Sequence, residues 1–233
     1  MPGLSEEEDT LVINKYLAEL MGTVILVGLG SMGILAVGGA NGAAEIIAIA
    51  FAFGLALLAG IWALGHVSGA HFNPAVTLAM LLDKRISLSD AIGYWIAQFA
   101  GACVGSLIIL GASGGSTAAV ASTATNYDDL TVAIVVEITL TAVFVWVIMA
   151  TTRFTRSRGH HAPAAIGLTL VAVHLAGIPF SGASVNPARS FGPAAVGGAF
   201  SSNLWVYIYA PLIGAVVAWA LYRLFPVVDG AEA

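Results

Sequence analysis

The chain has 233 residues, of which 59% are hydrophobic and 9% charged, and its formal net charge is −5. A mean hydropathy of +0.94 and a charged fraction far below the roughly 25% of soluble domains exclude a water-soluble globular protein, and the acidic balance argues against any nucleic-acid partner. The solvent is lipid, and Cys103, the single cysteine, leaves no intrachain disulfide.

Taken in chain order, residues 1–11 hold the run Glu6-Glu7-Glu8-Asp9 and are expected to form a mobile acidic tail. Apolar stretches at roughly 12–38, 44–65, 90–111, 130–152, 163–179 and 204–226 each approach the ~20 residues that a spanning helix needs. The first of them carries Lys15 and Glu19 near its start, so it reads as a full span and not as a cleaved signal. Two short helices are expected near 73–82 and 186–196. Each opens on Asn-Pro-Ala, at Asn73-Pro74-Ala75 and Asn186-Pro187-Ala188, with Asn as N-cap and Pro at the first helical position. At 1.5 Å per residue, a segment of about ten residues crosses only about half of a ~30 Å hydrocarbon core, so each should enter and turn back. Irregular backbone beside them, at 66–72 and 179–185, is tolerated only against protein or a water-filled cavity. Residues 112–129, rich in Gly, Ser, Ala and Thr, read as an outer connecting loop, and 227–233 as a carboxyl-terminal tail.

The two triplets are separated by 186 − 73 = 113 residues. At that same offset Ser68-Gly69-Ala70 matches Ser181-Gly182-Ala183, Gly54-Leu55 matches Gly167-Leu168, and Gln98 with Gly101 matches Pro211 with Gly214. The chain is therefore a duplicated unit, 12–111 and 130–226. Three full spans per copy is an odd number, so the second copy is inverted. The expected fold is an all-α membrane protein, six transmembrane helices plus two re-entrant half helices in two inverted repeats. With both termini cytoplasmic, Lys15, Lys84, Arg85, Arg153, Arg156, Arg158 and Arg223 all fall at cytoplasmic ends, as the positive-inside rule requires, and Glu45, Asp128 and Asp129 fall outside. Arg189 alone among the eight basic residues does not.

Inverted half helices bring Asn73 and Asn186 together near the midplane. Two helix amino termini then face a central path, each with a partial charge of about +0.5 and unpaired N–H groups. Such a place disfavours cations and offers Asn donors to a neutral oxygen.

These motifs, with Asn186-Pro187-Ala188-Arg189-Ser190, Ala18-Glu19-x-x-Gly22-Thr23 and Gly65-His66-x-Ser68-Gly69-x-His71-Phe72-Asn73, make the whole chain resemble the aquaporins of the major intrinsic protein family. The resemblance implies a second constriction towards the outer mouth, formed by Phe53, His174, Ala183 and Arg189. Subtracting 113 from His174 and Arg189 reaches Ile61 and Val76, so the polar pair belongs to one half only and is not scaffold common to both. A basic side chain at a helix end also snorkels to the interface, but the place of Arg189 directly after the triplet favours the path. The resemblance further implies a homotetramer with one pore per subunit.

Glu19 and Glu137 sit well inside apolar spans, which marks both as functional candidates. A proton relay is one role. The matched pattern Glu19-x-x-x-Thr23 and Glu137-x-x-x-Thr141 favours another, in which each carboxylate accepts from N–H groups of an irregular segment. The carbonyls of Gly69, Ala70, His71 and Phe72, and of Gly182, Ala183, Ser184 and Val185, would then be free to line the path.

His66 and His71, five apart and joined by no Cys or carboxylate cluster, make a poor metal site, and nothing points to a cofactor or to an enzyme. His160-His161 in a basic cytoplasmic loop are candidate pH sensors, and Cys103 among small residues reads as packing.

The sequence is thus read as a passive channel in the cell membrane that conducts water in single file and excludes protons and ions. A glycerol or small neutral solute facilitator of the same fold is the alternative, and a proton-coupled secondary transporter using Glu19 and Glu137 is a more distant one. Within the family, Ser190 and His174 resemble water channels. Ile208 in Tyr207-Ile208-Tyr209 leans towards the glycerol branch, and Ala183 opens the implied constriction slightly.

Overall fold

The computed structural model describes residues 6–121, 129–153 and 161–225. In order, its helices are α1 (Glu6–Ala36), α2 (Ala43–Ser68), α3 (Pro74–Leu82), α4 (Leu88–Ala112), α5 (Thr117–Ala121), α6 (Leu130–Thr151), α7 (Ala162–Ser181), α8 (Pro187–Gly197) and α9 (Leu204–Arg223). Six of them, α1 from Ile13 onward, α2, α4, α6, α7 and α9, are long and apolar enough to cross a bilayer. No strand occurs among the described residues.

The bundle is built from pairings that the duplication relates. Helix α1 packs on α4 and α2, α6 packs on α9 and α7, and α2 against α7 joins the halves. Small residues sit at the crossings because lipid offers no hydrophobic drive, and close backbone approach supplies the attraction instead. A Cβ on Gly101 would lie 2.4 Å from Leu20 O, and one on Gly214, its repeat mate, 2.6 Å from Ile138 O. Large apolar side chains such as Phe51, Trp62, Ile96 and Leu107 are left exposed, as a lipid-facing surface requires.

Both re-entrant segments are set by the same local devices. Helices α2 and α7 stop at Gly69 and Gly182, each in the left-handed region at φ 83° and 80°. Irregular backbone follows for four residues, and then the half helices begin at Pro74 and Pro187. The Asn73 side chain caps α3 by accepting from Ala75 N, and that of Asn186 caps α8 by accepting from Ala188 N and Arg189 N.

Three boundaries differ from the sequence reading. Helix α1 starts at Glu6, so the backbone of residues 6–11 is helical where a mobile tail is expected; acidic residues in a first turn are favoured by the helix dipole. The expected connecting loop 112–129 contains α5, which packs on α8 where a Cβ at Gly197 would lie 2.6 Å from Ala121 N. Helices α2 and α7 also run into the stretches 66–72 and 179–185, so only 69–72 and 182–185 are irregular. Asp128, Arg156, Arg158, His160 and the tail 227–233 lie outside the described residues.

Candidate functional site

Each irregular segment is held by one buried carboxylate. Glu19 Oε1 accepts from Ser68 Oγ at 2.7 Å and His71 N at 2.8 Å, while Oε2 accepts from Phe72 N at 2.7 Å and Gln98 Nε2 at 2.8 Å. Glu137 Oε1 accepts from Ser181 Oγ at 2.7 Å and Ser184 N at 2.8 Å, and its Oε2 from Val185 N at 2.7 Å. Ser68 and Ser181 in turn accept from Ala70 N and Ala183 N. The carboxylates thus satisfy backbone donors that lipid cannot, and charge-assisted bonds are the strong kind. They also hold non-glycine residues in the left-handed region, at Ala70 (φ 53°), Phe72 (50°), Ala183 (49°) and Val185 (47°).

At the centre the half helices are tied across the repeat. Asn73 Nδ2 donates to Val185 O at 2.8 Å, and Asn186 Nδ2 donates to Phe72 O at 2.9 Å. Two of the eight carbonyls expected to be free, those of Phe72 and Val185, are therefore engaged by the opposing Asn. Each Asn oxygen caps its own helix and one amide hydrogen crosses over, so one amide hydrogen remains on each, and both residues line a narrow cavity.

That cavity has a volume of about 20 Å³ and is bounded by Phe53, His71, Asn73, His174, Ser184, Val185, Asn186 and Arg189, with Leu26, Leu57, Phe144 and Leu170 as its apolar wall. One ordered water needs ~10–15 Å³ by the same measure, so the cavity has room for about one group of that size at a time. The Phe53 and His174 rings stack with centroids 4.7 Å apart and 20° between planes, and Arg189 Cζ lies 4.9 Å from the Phe53 centroid, within cation–π range. Phe53 is 1% exposed against 42% for Phe51, two residues away. His174 Nδ1 lies 3.0 Å from Leu170 O. A carbonyl only accepts, so Nδ1 carries the hydrogen and Nε2, buried without a partner, is a bare acceptor in the neutral ring. Ala183 is not brought into this cavity: its methyl sits beside Gly177, where an added Cβ would be 3.0 Å away.

On the other side of His71 the path widens into a vestibule of about 710 Å³. Gly69, Ala70, His71, Ile61, Val76 and Ile166 line it, as do Arg85 and Asp90. Asp90 is paired with Lys15 at 2.6 Å. Arg85 donates to Asp83, Thr152, Met149 O and Tyr222 OH, joining the end of α3 to α6 and α9. His66 also faces the vestibule, His161 is exposed and Cys103 half-buried. No cluster of three or more metal-ligating side chains occurs among the described residues.

The sequence reading missed Ser68, Ser181 and Gln98 as partners of the carboxylates, and Thr77, which Gln98 also reaches. The duplication of Ser-Gly-Ala was the available signal for the serines.

The family model described as Major intrinsic protein matches residues 6–222. Curated relatives include Glycerol uptake facilitator protein-like 6 of Lactiplantibacillus plantarum, 41% identical over 88% of this chain and 95% of its own. Aquaporin Z of Rhodopseudomonas palustris is 39% identical over 94% and 98%, and Aquaporin-5 of Sus scrofa is 42% identical over 92% and 82%. The X-ray structure of the aquaglyceroporin from Plasmodium falciparum superposes with a TM-score of 0.80 at 24% identity, covering 91% of this chain and 95% of that one, which speaks to the fold. With six spanning helices around a narrow path and a family match over nearly its whole length, the chain belongs to the major intrinsic protein family and is a multi-pass membrane channel, not an enzyme.

Proposed function

We propose that the channel conducts water in single file, passes glycerol far more slowly, and excludes protons and ions. The observation that carries this reading is the narrow cavity of about 20 Å³ between Phe53, His174 and Arg189. A water entering there meets Arg189 donors and the acceptor Nε2 of His174, which replace its lost hydrogen bonds. Glycerol would have to shed its hydration and press a broader carbon chain past a stacked Phe–imidazole pair.

Ion exclusion rests on charge. A cation would face the Arg189 guanidinium and then two half-helix amino termini of about +0.5 each. At the midplane the remaining amide hydrogens of Asn73 and Asn186 both donate to a passing oxygen. That water turns its own hydrogens outward to its neighbours, so the file is polarised in opposite directions on either side and no continuous relay for a proton runs through it. Glu19 and Glu137 are engaged by loop donors, which supports an anchoring role over a relay. Both termini cytoplasmic and a homotetramer in the cell membrane complete the reading, the first from the distribution of basic residues and the second from family likeness.

Stopped-flow light scattering on proteoliposomes tests the proposal. Fast shrinkage under a sucrose gradient with slow glycerol entry is the expected result, and glycerol entry at a rate approaching that of water would overturn it in favour of a glycerol facilitator. Ile208 and the relative named as a glycerol uptake facilitator-like protein support that second reading. Uptake driven by a pH gradient would support a proton-coupled transporter instead.

A further inference from the structure

His71 stands where the wide vestibule meets the narrow cavity and lines both, so the hydrogen-bonding character of its ring decides what every permeant meets at that junction. Its Nδ1 lies 3.0 Å from Thr77 Oγ1. Distance alone leaves the direction of that bond open, but the neighbours of Thr77 fix it. Gln98 Nε2 lies 2.9 Å from the same Oγ1 and 2.8 Å from Glu19 Oε2. The Glu19 carboxylate accepts from four donors, so the Gln98 amide must turn its NH₂ towards it; the reverse orientation would set oxygen against oxygen. Gln98 therefore donates to Thr77 with its second hydrogen.

The Thr77 hydroxyl must then place its own hydrogen elsewhere. Thr23, Thr139, Thr151, Thr152 and Thr169 all donate to the carbonyl four residues back. Thr77 makes no such bond, and the His71 ring nitrogen is its other partner. From this chain of bonds, Glu19 to Gln98 to Thr77 to His71, we infer that Gln98 and Thr77 are positioning residues that hold His71 as the tautomer with Nδ1 bare and the hydrogen on Nε2.

The consequence lies in the path. His71 Nε2 has no protein partner among the described residues and lies near Gly69, on the vestibule side. It therefore offers a donor, whereas His174 at the far end of the narrow cavity offers an acceptor. A permeant oxygen is attracted at the cytoplasmic end and a permeant hydrogen at the outer end, with the Asn pair between them. The second repeat has no equivalent: at offset 113 His71, Thr77 and Gln98 become Ser184, Ser190 and Pro211, and the two serines bond to each other.

Solid-state NMR of the full chain in lipid vesicles, with ¹⁵N- and ¹³C-labelled histidine and His71→Asn to assign the signal, reads the tautomer directly. The expected spectrum at neutral pH shows His71 with a protonated Nε2 and an unprotonated Nδ1. Thr77→Ser should preserve it. Thr77→Val, which has no hydroxyl, and Gln98→Leu, which frees Thr77 to accept, should each replace the single form with a mixture. A wild-type His71 protonated at Nδ1 would overturn the inference, and so would an unchanged spectrum in Gln98→Leu. Should Thr77→Val fail to reconstitute, the wild-type and Gln98→Leu spectra still decide. None of these outcomes depends on whether water or glycerol is the main permeant, so this inference and the proposed selectivity fail separately.

Discussion

The two halves of the path share a scaffold and differ at the few positions that make one side narrow. Counting 113 residues back, His174 becomes Ile61, Arg189 becomes Val76 and Ala183 becomes Ala70; counting forward, Phe53 becomes Ile166. Ile61, Ala70, Val76 and Ile166 all line the vestibule of about 710 Å³, while Phe53, His174 and Arg189 line the cavity of about 20 Å³. Duplication supplied the anchored loops, the capped half helices and the glycine crossings twice. Phe53, His174 and Arg189 narrow one side only, so under the proposed function selectivity would reside in what the repeat does not share.

The largest effect comes from attacking what is shared. In Glu137→Ala, Ser181 Oγ, Ser184 N and Val185 N lose their acceptor in a dry site. Each unsatisfied buried donor costs about 1–3 kcal/mol, a sum comparable with the whole stability of a domain. Little folded protein should survive, as judged by gel filtration in mild detergent. A well-folded, water-conducting Glu137→Ala channel would show that the carboxylate is not an anchor.

Erasing the asymmetry is the next test. Arg189→Val gives the narrow side the residue that its partner position, Val76, already carries. Water flux should remain, and a cation or proton current should appear in voltage-clamped bilayers where the wild type has none. Persistence of full ion exclusion would assign that barrier wholly to the half-helix termini.

A graded version removes only the imidazole. His174→Gly opens the wall opposite Phe53, and Phe53→Trp in the same chain lines the opening with an apolar surface. Shape mismatches of about one methylene are worth roughly 1–3 kcal/mol, or about 10- to 200-fold in rate, so glycerol flux should rise by at least about tenfold while water flux is kept. An unchanged ratio of the two fluxes would place the discriminating step elsewhere, near Ile208.

How much of this was legible before the structure varies with the physics involved. Half-helix starts are local: an Asn cap and a Pro at the first position specify them within the chain, and α3 and α8 begin at Pro74 and Pro187, one residue inside the expected 73 and 186. Spans follow from length and hydropathy, although the end of α2 at Ser68 lay beyond the expected 65 because Gly69, not the loss of apolar residues, stops the helix. The left-handed Phe72 and Val185 could not be read, since neither residue prefers that conformation and only bonds from distant carboxylates hold it. Carbonyls of the same two residues were expected to be free, and the crossing bonds from Asn186 and Asn73 depend on the two halves meeting. Ala183 illustrates a further limit. A family position carries no information about which way a methyl points, and here it packs towards Gly177.

Comparing the anchors gives a smaller effect. Glu19 accepts from four donors and Glu137 from three, because the position of Gln98 is taken by Pro211 in the second copy. Glu19→Gln and Glu137→Gln keep an acceptor oxygen but lose charge assistance, at a cost on the order of 1 kcal/mol or more each. Thermal unfolding in detergent should place Glu19→Gln below Glu137→Gln, with transport per folded molecule largely kept in both. Loss of transport at unchanged stability would instead indicate a proton relay.

The smallest expected effect is none at all, and it probes the constriction by what is missing from it. Mercurials block a pore by coordinating a thiolate at its narrowest point, and no thiol lies beside Phe53, His174 or Arg189. Cys103, the single cysteine, is half-buried on α4 and lines neither the vestibule nor the narrow cavity. Mercuric chloride should therefore leave water flux unchanged, whereas Ser184→Cys, which sets a thiol on the wall of the narrow cavity, should make flux mercurial-sensitive and recoverable with a reducing thiol. Should the wild type be blocked and the block persist in Cys103→Ser, the metal would be acting on another group of the path. A block that vanishes in Cys103→Ser would mean that α4, remote from the constriction in sequence and in lining, nonetheless controls its width.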